Sequence, residues 1–246
     1  MKSQERHKLK ENQFARGFGQ ARHVIDERRN DISWAIAVVV ILLAVVGGYT
    51  WWRQSRNDRA TELLATALTV YQTPVVPAAA PAPGSPAPVQ QPGTFLTEKA
   101  KLEAALPKFV EAADRYPSSS PGIAARFHAA SILATLGRYT EAEQRYQEVV
   151  AKAGTSIYAR TAKLGLAESQ VAQKKYDPAI AIYTELSRDP SSGMPVDGVL
   201  MQLGRACAAA GKKEEAAGAF TRVTKEFPQS QYAADAQREL DEVRKS

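Results

Sequence analysis

The chain has 246 residues and a formal net charge of +6. The excess is mild and spread out, with eight Lys/Arg against five Asp/Glu in the first 52 residues, and no dense basic stripe with interleaved aromatics argues for a nucleic-acid partner. A single cysteine, Cys207, excludes an internal disulfide and a Cys-rich zinc site, and fits either redox compartment.

Residues 1–31 are a polar, basic leader with a few apolar side chains (Phe14, Phe18, Val24, Ile25). Charge runs are usually solvated, which favours a plain anchor flank over a docking helix. From Ile32 to Trp52 the chain reads ISWAIAVVVILLAVVGGYTWW, 21 residues without a charge. A helix of that length reaches roughly 30 Å, the thickness of a bilayer's hydrocarbon core. Trp34 stands near one end and Tyr49, Trp51 and Trp52 at the other, as interfacial aromatics do. A cleaved signal peptide would have a shorter apolar run, a shorter leader and an A-x-A-like site. Residues 32–52 are therefore expected to span a membrane. Eight positive residues precede the span, and only Arg53, Arg56 and Arg59 follow it closely. That bias puts the N-terminus in the cytoplasm and residues 53–246 outside, which in a bacterium is the periplasm.

Residues 53–73 are expected to hold the first helix beyond the membrane. Leu63, Leu64, Ala67, Leu68 and Tyr71 share one face of it. Residues 74–95 follow as a Pro/Ala-rich flexible insert, with seven of the 14 prolines between 74 and 92. Proline removes backbone donors and blocks helix, so an extended spacer is expected there.

Residues 96–246 carry a helical pattern that repeats every 37 residues. Ala105, Ala142, Ala179 and Ala216 begin it, and an aromatic follows each by four residues: Phe109, Tyr146, Tyr183 and Phe220. Ala112, Val149, Leu186 and Val223 come three later. Offsets of four and seven return to one helical face. The alanine permits close helix approach, and the aromatic fills the gap between hairpins. Gly137 and Gly211 precede the second helices where the turn needs positive φ, with Lys174 in the middle copy. Pro117, Pro190 and Pro228 end second helices. Residues 97–117 are the second half of an earlier repeat whose first half is 58–71. Pro107 there predicts a kink or a helix start. Residues 229–245 read as a cap with Tyr232, Ala236, Leu240 and Val243 facing inward.

The run Leu200-x2-Leu203-Gly204-x6-Gly211-x4-Ala216-x3-Phe220-x7-Pro228 resembles the tetratricopeptide repeat (TPR) motif. The expected fold class is all-α: one transmembrane helix, then a right-handed solenoid of antiparallel helix pairs. Lys213 departs from the motif where Tyr139 and Tyr176 keep an aromatic. The resemblance implies a concave surface lined by first helices. The candidate peptide-binding residues on it are Phe127, His128, Ser131, Leu164, Glu168, Met201, Gln202 and Arg205. Phe127, Leu164 and Met201 are repeat-equivalent and suggest an apolar stripe for extended segments. The Lys and Asn pattern of carboxylate-clamping TPR proteins is missing.

No catalytic, cofactor or metal site is legible. His7 and His23 lie in the leader, and His128 has no ligand partner at helical spacing. No nucleotide loop or nucleophile elbow follows a strand, and Cys207 sits between Ala206 and Ala208 as a packed thiol. Leader, span and repeats together resemble the Sec translocon ancillary subunit family of the bacterial inner membrane. That resemblance implies translocon subunits, periplasmic chaperones or exported chains as partners. Phe227-Pro228-Gln229-Ser230-Gln231-Tyr232-Ala233 also looks like envelope-assembly and Tol-associated division proteins. Those are usually secreted or lipid-anchored, and this chain has no lipobox cysteine.

Overall fold

The computed structural model describes residues 29–77, 92–188 and 193–245. The leader up to residue 28, residues 78–91 of the insert and Pro190 lie outside the described residues. The chain divides into two units, Met1–Ser55 and Arg56–Ser246.

In the first unit, helix α1 (Arg29–Tyr71) begins. Every residue from 37 to 54 is exposed, including Leu43 at 67% and Trp51 at 74%. The helix from Ala37 onward is long and apolar enough to cross a membrane by length and composition. The sequence divided the apolar run from a separate helix at 53–73, whereas the structure shows one element. Residues 53–57 (RQSRN) hold neither proline nor glycine, so nothing breaks the backbone hydrogen bonding there.

The second unit is built of helical pairs. The end of α1 and α2 (Glu98–Arg115) form a split first pair. Then come α3 (Ser120–Thr135) with α4 (Tyr139–Lys152), and α5 (Ile157–Ala172) with α6 (Tyr176–Ser187). Next are α7 (Val196–Ala209) with α8 (Lys213–Glu226), and last the lone α9 (Ala233–Lys245). From α2 onward each helix packs on the next, and α3 also meets α5 directly. The first helices α3 and α5 therefore lie side by side.

Ala60 and Ala67 are fully buried, and Leu63, Leu64, Leu68 and Tyr71 pack on the core shared by α2 and α3. The insert leaves and rejoins this pair at one point. Val76 N–H donates to the Phe95 carbonyl at 2.8 Å, and Phe95 N–H to that of Pro74 at 3.1 Å. Among the described residues this isolated bridge between Val75 and Phe95 is the only strand-like pairing. It ties the base of the insert, so the loop's two ends stay together.

Pro107 neither starts nor ends a helix. It lies inside α2, which begins at the Thr97 cap, where the side chain accepts from Ala100 N–H. The carbonyl that Pro107 leaves unpaired belongs to Glu103, and both residues are exposed, so water serves it.

The 37-residue period governs the turns. Gly137, Lys174 and Gly211 take φ of 75°, 61° and 77°. After each, the next N–H reaches back five residues: Arg138 to Leu133, Lys175 to Gln170 and Lys212 to Cys207, all at 2.8 Å. This is the Schellman closure of a helix C-terminus. Lysine holds at 174 only by adopting a left-handed backbone that a Cβ disfavours. Lys174→Gly is therefore expected to stabilise the second unit by about 1 kcal/mol, the left-handed penalty partly offset by glycine's entropy. Urea unfolding followed by circular dichroism checks it.

An ion pair follows the same period and then lapses. Arg126 on α3 faces Glu148 on α4, and 37 residues on Lys163 faces Glu185. The third copy has Leu200, fully buried, and Arg222 turns to Glu226 instead. Arg126 is the most buried of these basic residues at 3% exposure. Its Nη2 donates to the Ala113 carbonyl at 3.0 Å and its Nη1 to that of Pro117 at 3.3 Å. Glu148 Oε2 lies 2.8 Å from Nε but off the N–H direction, so that contact is ionic rather than a directed hydrogen bond. Asp114, 3.5 Å from Arg126, also receives Arg145 at 2.7 Å. Burial alone would raise the Asp114 carboxyl, but the hydrogen bond and charge of Arg145, then those of Arg126, hold it below the usual range.

Candidate functional site

Helices α3 and α5 share a face, α7 carries the remaining candidates Met201, Gln202 and Arg205, and the candidate residues are found in three states of burial. Phe127, His128, Ser131, Leu164 and Gln202 are half-buried, and Glu168 and Arg205 are exposed. Met201 is the exception. It is 1% exposed and belongs to the core formed with Leu200, Cys207 and Phe220. The expected apolar stripe of Phe127, Leu164 and Met201 thus reaches the surface at its first two members only. In the third copy the neighbouring Leu200 is wholly enclosed where Arg126 and Lys163 stood, and Met201 is sealed in with it.

Phe127 and His128 sit within a chain of rings. Tyr71 meets Phe109 edge-on at 6.0 Å, and Phe109 stacks on His128 at 5.1 Å. Phe127 contacts His128 at 5.8 Å, Tyr146 at 6.0 Å and Tyr158 at 5.7 Å. Offset and edge-to-face geometries suit aromatic quadrupoles and make the wall rigid. Burial lowers the His128 imidazole below its ordinary value, so it is neutral at neutral pH and serves as an aromatic surface.

The repeat aromatics explain how the wall is held. Gly165 on α5 has no side chain because Tyr146 lies across it; an added Cβ would stand 2.4 Å from Cζ of the ring. Gly204 on α7 admits Phe220 in the same way, again with 2.4 Å to a ring carbon. Ala105, Ala142, Ala179 and Ala216 are fully buried, as are Phe109 and Phe220; Tyr183 is 1% and Tyr146 4% exposed. The two inner copies use tyrosine where the outer ones use phenylalanine. Both Tyr146 and Tyr183 feel the charge of Glu168. Burial, with Glu168 adding to it, raises both phenols. Tyr158 was missing from the residues read from sequence, and Tyr146 and Tyr183 were read there as repeat-packing residues rather than as part of the binding face. The Tyr-for-Phe choice at a repeat core position was their signal, since a buried tyrosine needs a partner for its hydroxyl.

Glu168 itself is exposed, yet surrounding protein lifts its carboxyl above the ordinary range. Arg205 is held by Glu239 of α9, at 2.9 Å from Nε and 2.7 Å from Nη2.

The family model for the tetratricopeptide repeat-like domain matches residues 28–245. The chain belongs to this family. No curated protein matches it. Among solved structures it is similar to the nearly identical TPR-like repeats of a Podosopora anserina chain described as a kinesin light chain. That match has 16% identity and a TM-score of 0.50, over 59% of this chain and 79% of that one. A TPR protein from Parabacteroides merdae gives the same identity and TM-score over 60% of this chain and 55% of that one, so this chain spans about half of it. These likenesses concern the fold. TPR-like repeats are typically non-enzymatic scaffolds for protein–protein interaction. No group of three or more His, Cys, Asp or Glu able to hold a metal occurs among the described residues. Cys207 is buried, and burial with the nearby Glu215 carboxylate pushes its thiol up to about 11, away from nucleophilic use.

Proposed function

We propose that this TPR-like protein is a membrane-anchored adaptor of the bacterial envelope. The N-terminal apolar helix spans the inner membrane with the leader in the cytoplasm, and the repeats stand in the periplasm. There the concave face holds extended segments of exported proteins at the Sec translocon. The observation that carries the reading is Phe127, half-exposed between Tyr146 and Tyr158 on a first-helix face, in a chain that also bears an apolar helix exposed from 37 to 54. Rigid aromatics bind apolar chain segments at low entropic cost, and an apolar helix without protein cover is stable in lipid.

The test is copurification of the full chain from detergent-solubilised native membranes. Translocon subunits, periplasmic chaperones or exported chains are expected in the eluate, and Phe127→Ala should reduce the exported chains several-fold while leaving membrane partners in place. Recovery of outer-membrane-assembly or Tol components alone would replace this reading with that of an envelope scaffold.

A further inference from the structure

The first helices carry charge at two repeat-equivalent places, Glu168 on α5 and Arg205 on α7. Arg205 is neutralised by Glu239, which arrives from α9. Glu168 has no such partner among the described residues, and burial is the only influence that shifts its carboxyl. The other basic residues of α5 are engaged elsewhere, Lys163 with Glu185 and Arg160 with the Thr155 carbonyl. The phenols of Tyr146 and Tyr183 are close enough to feel its charge, but neither can neutralise it. One turn earlier on the same helical face stands Leu164, half-buried.

We propose that Glu168 is the specificity residue of this groove, and that it selects extended peptide segments bearing a lysine or arginine beside an apolar residue. The inference rests on the groove reading given above. A carboxylate partly stripped of water gains from a cation more than a fully hydrated one does. The long aliphatic stem of lysine or arginine suits the aromatic surroundings, and a ring face adds cation–π attraction. An acidic segment would meet the unpaired carboxylate, while Arg205 is already occupied.

The test uses the full chain in detergent micelles and fluorescence anisotropy. The probes are short labelled peptides of alanine and leucine with one central residue varied among lysine, arginine and glutamine. The lysine and arginine peptides are expected to bind about tenfold more tightly than the glutamine peptide, the worth of one charge-assisted contact. In Glu168→Gln the three should converge, with the glutamine peptide unchanged within about twofold. Equal affinities in the unaltered protein, or a preference that survives Glu168→Gln, overturns the assignment. Charge-blind binding that Phe127→Ala abolishes sinks the role of Glu168 and leaves the groove reading standing. Absence of binding by all three peptides removes the groove reading and the assignment together.

Discussion

Phe220→Ala is expected to lower stability by about 3–5 kcal/mol, the usual result of emptying a fully enclosed aromatic site. Phe220 is 0% exposed and lies over Gly204, with Ala216, Val223 and Leu200 in the same core. The companion variant tells more. Gly204→Ala alone should cost about 1–3 kcal/mol, because the new Cβ would sit 2.4 Å from the ring. In the Phe220→Ala background the same change should be neutral or stabilising, since alanine is preferred over glycine within a helix by roughly 1 kcal/mol. A double-mutant cycle on urea unfolding curves reads the coupling. Additive effects would show that the glycine and the ring are not paired as described.

Arg126→Met should destabilise by about 2–3 kcal/mol, although methionine fills similar volume. The loss has two parts. The Ala113 and Pro117 carbonyls lose their donor at the end of α2, and Glu148 and Asp114 lose a cation. Both carboxylates are about half exposed and can be rehydrated, which keeps the cost below that of a fully buried pair. Lys163→Met, one repeat later, removes the equivalent pair in a more exposed setting and should change stability by less than about 1 kcal/mol. Comparable losses at both positions would mean that charge, rather than the buried carbonyl contacts, sets the value of Arg126. The sign with pH follows from Asp114. Its carboxyl is depressed in the folded state, so its contribution is present above its unfolded value and is lost as pH falls through the lower folded value. Arg126→Met should weaken that acid sensitivity.

The helical pairs were legible because a 37-residue period acts on residues that cannot be exchanged freely. Alanine at 105, 142, 179 and 216 and the aromatic four residues on are both close-packing positions. Even the turn at Lys174 obeys the period, since the Schellman closure fixes the backbone whatever the side chain is. The site was less legible. Met201 shares its register with Phe127 and Leu164, so sequence spacing put it on the surface. Register alone does not tell how deeply a face is covered, and in the third copy Met201 lies in the core with Leu200, Cys207 and Phe220. Arg205 looked open for the same reason, because its partner Glu239 belongs to the cap 34 residues later. The apolar run 32–52 and the helix expected within 53–73 form the single helix α1 because polarity changes between them without any residue that stops a helix.

The account turns on whether the first-helix face touches extended chain segments in native membranes. Site-specific photocrosslinking answers this most directly, with a photoreactive phenylalanine in place of Phe127 in the full chain and a control at Gln147, exposed on α4. Crosslinks from position 127 to exported chains or translocon subunits, absent or several-fold weaker from 147, are the expected result. Equal labelling from both positions, or none from 127 while 147 captures a partner, would contradict it.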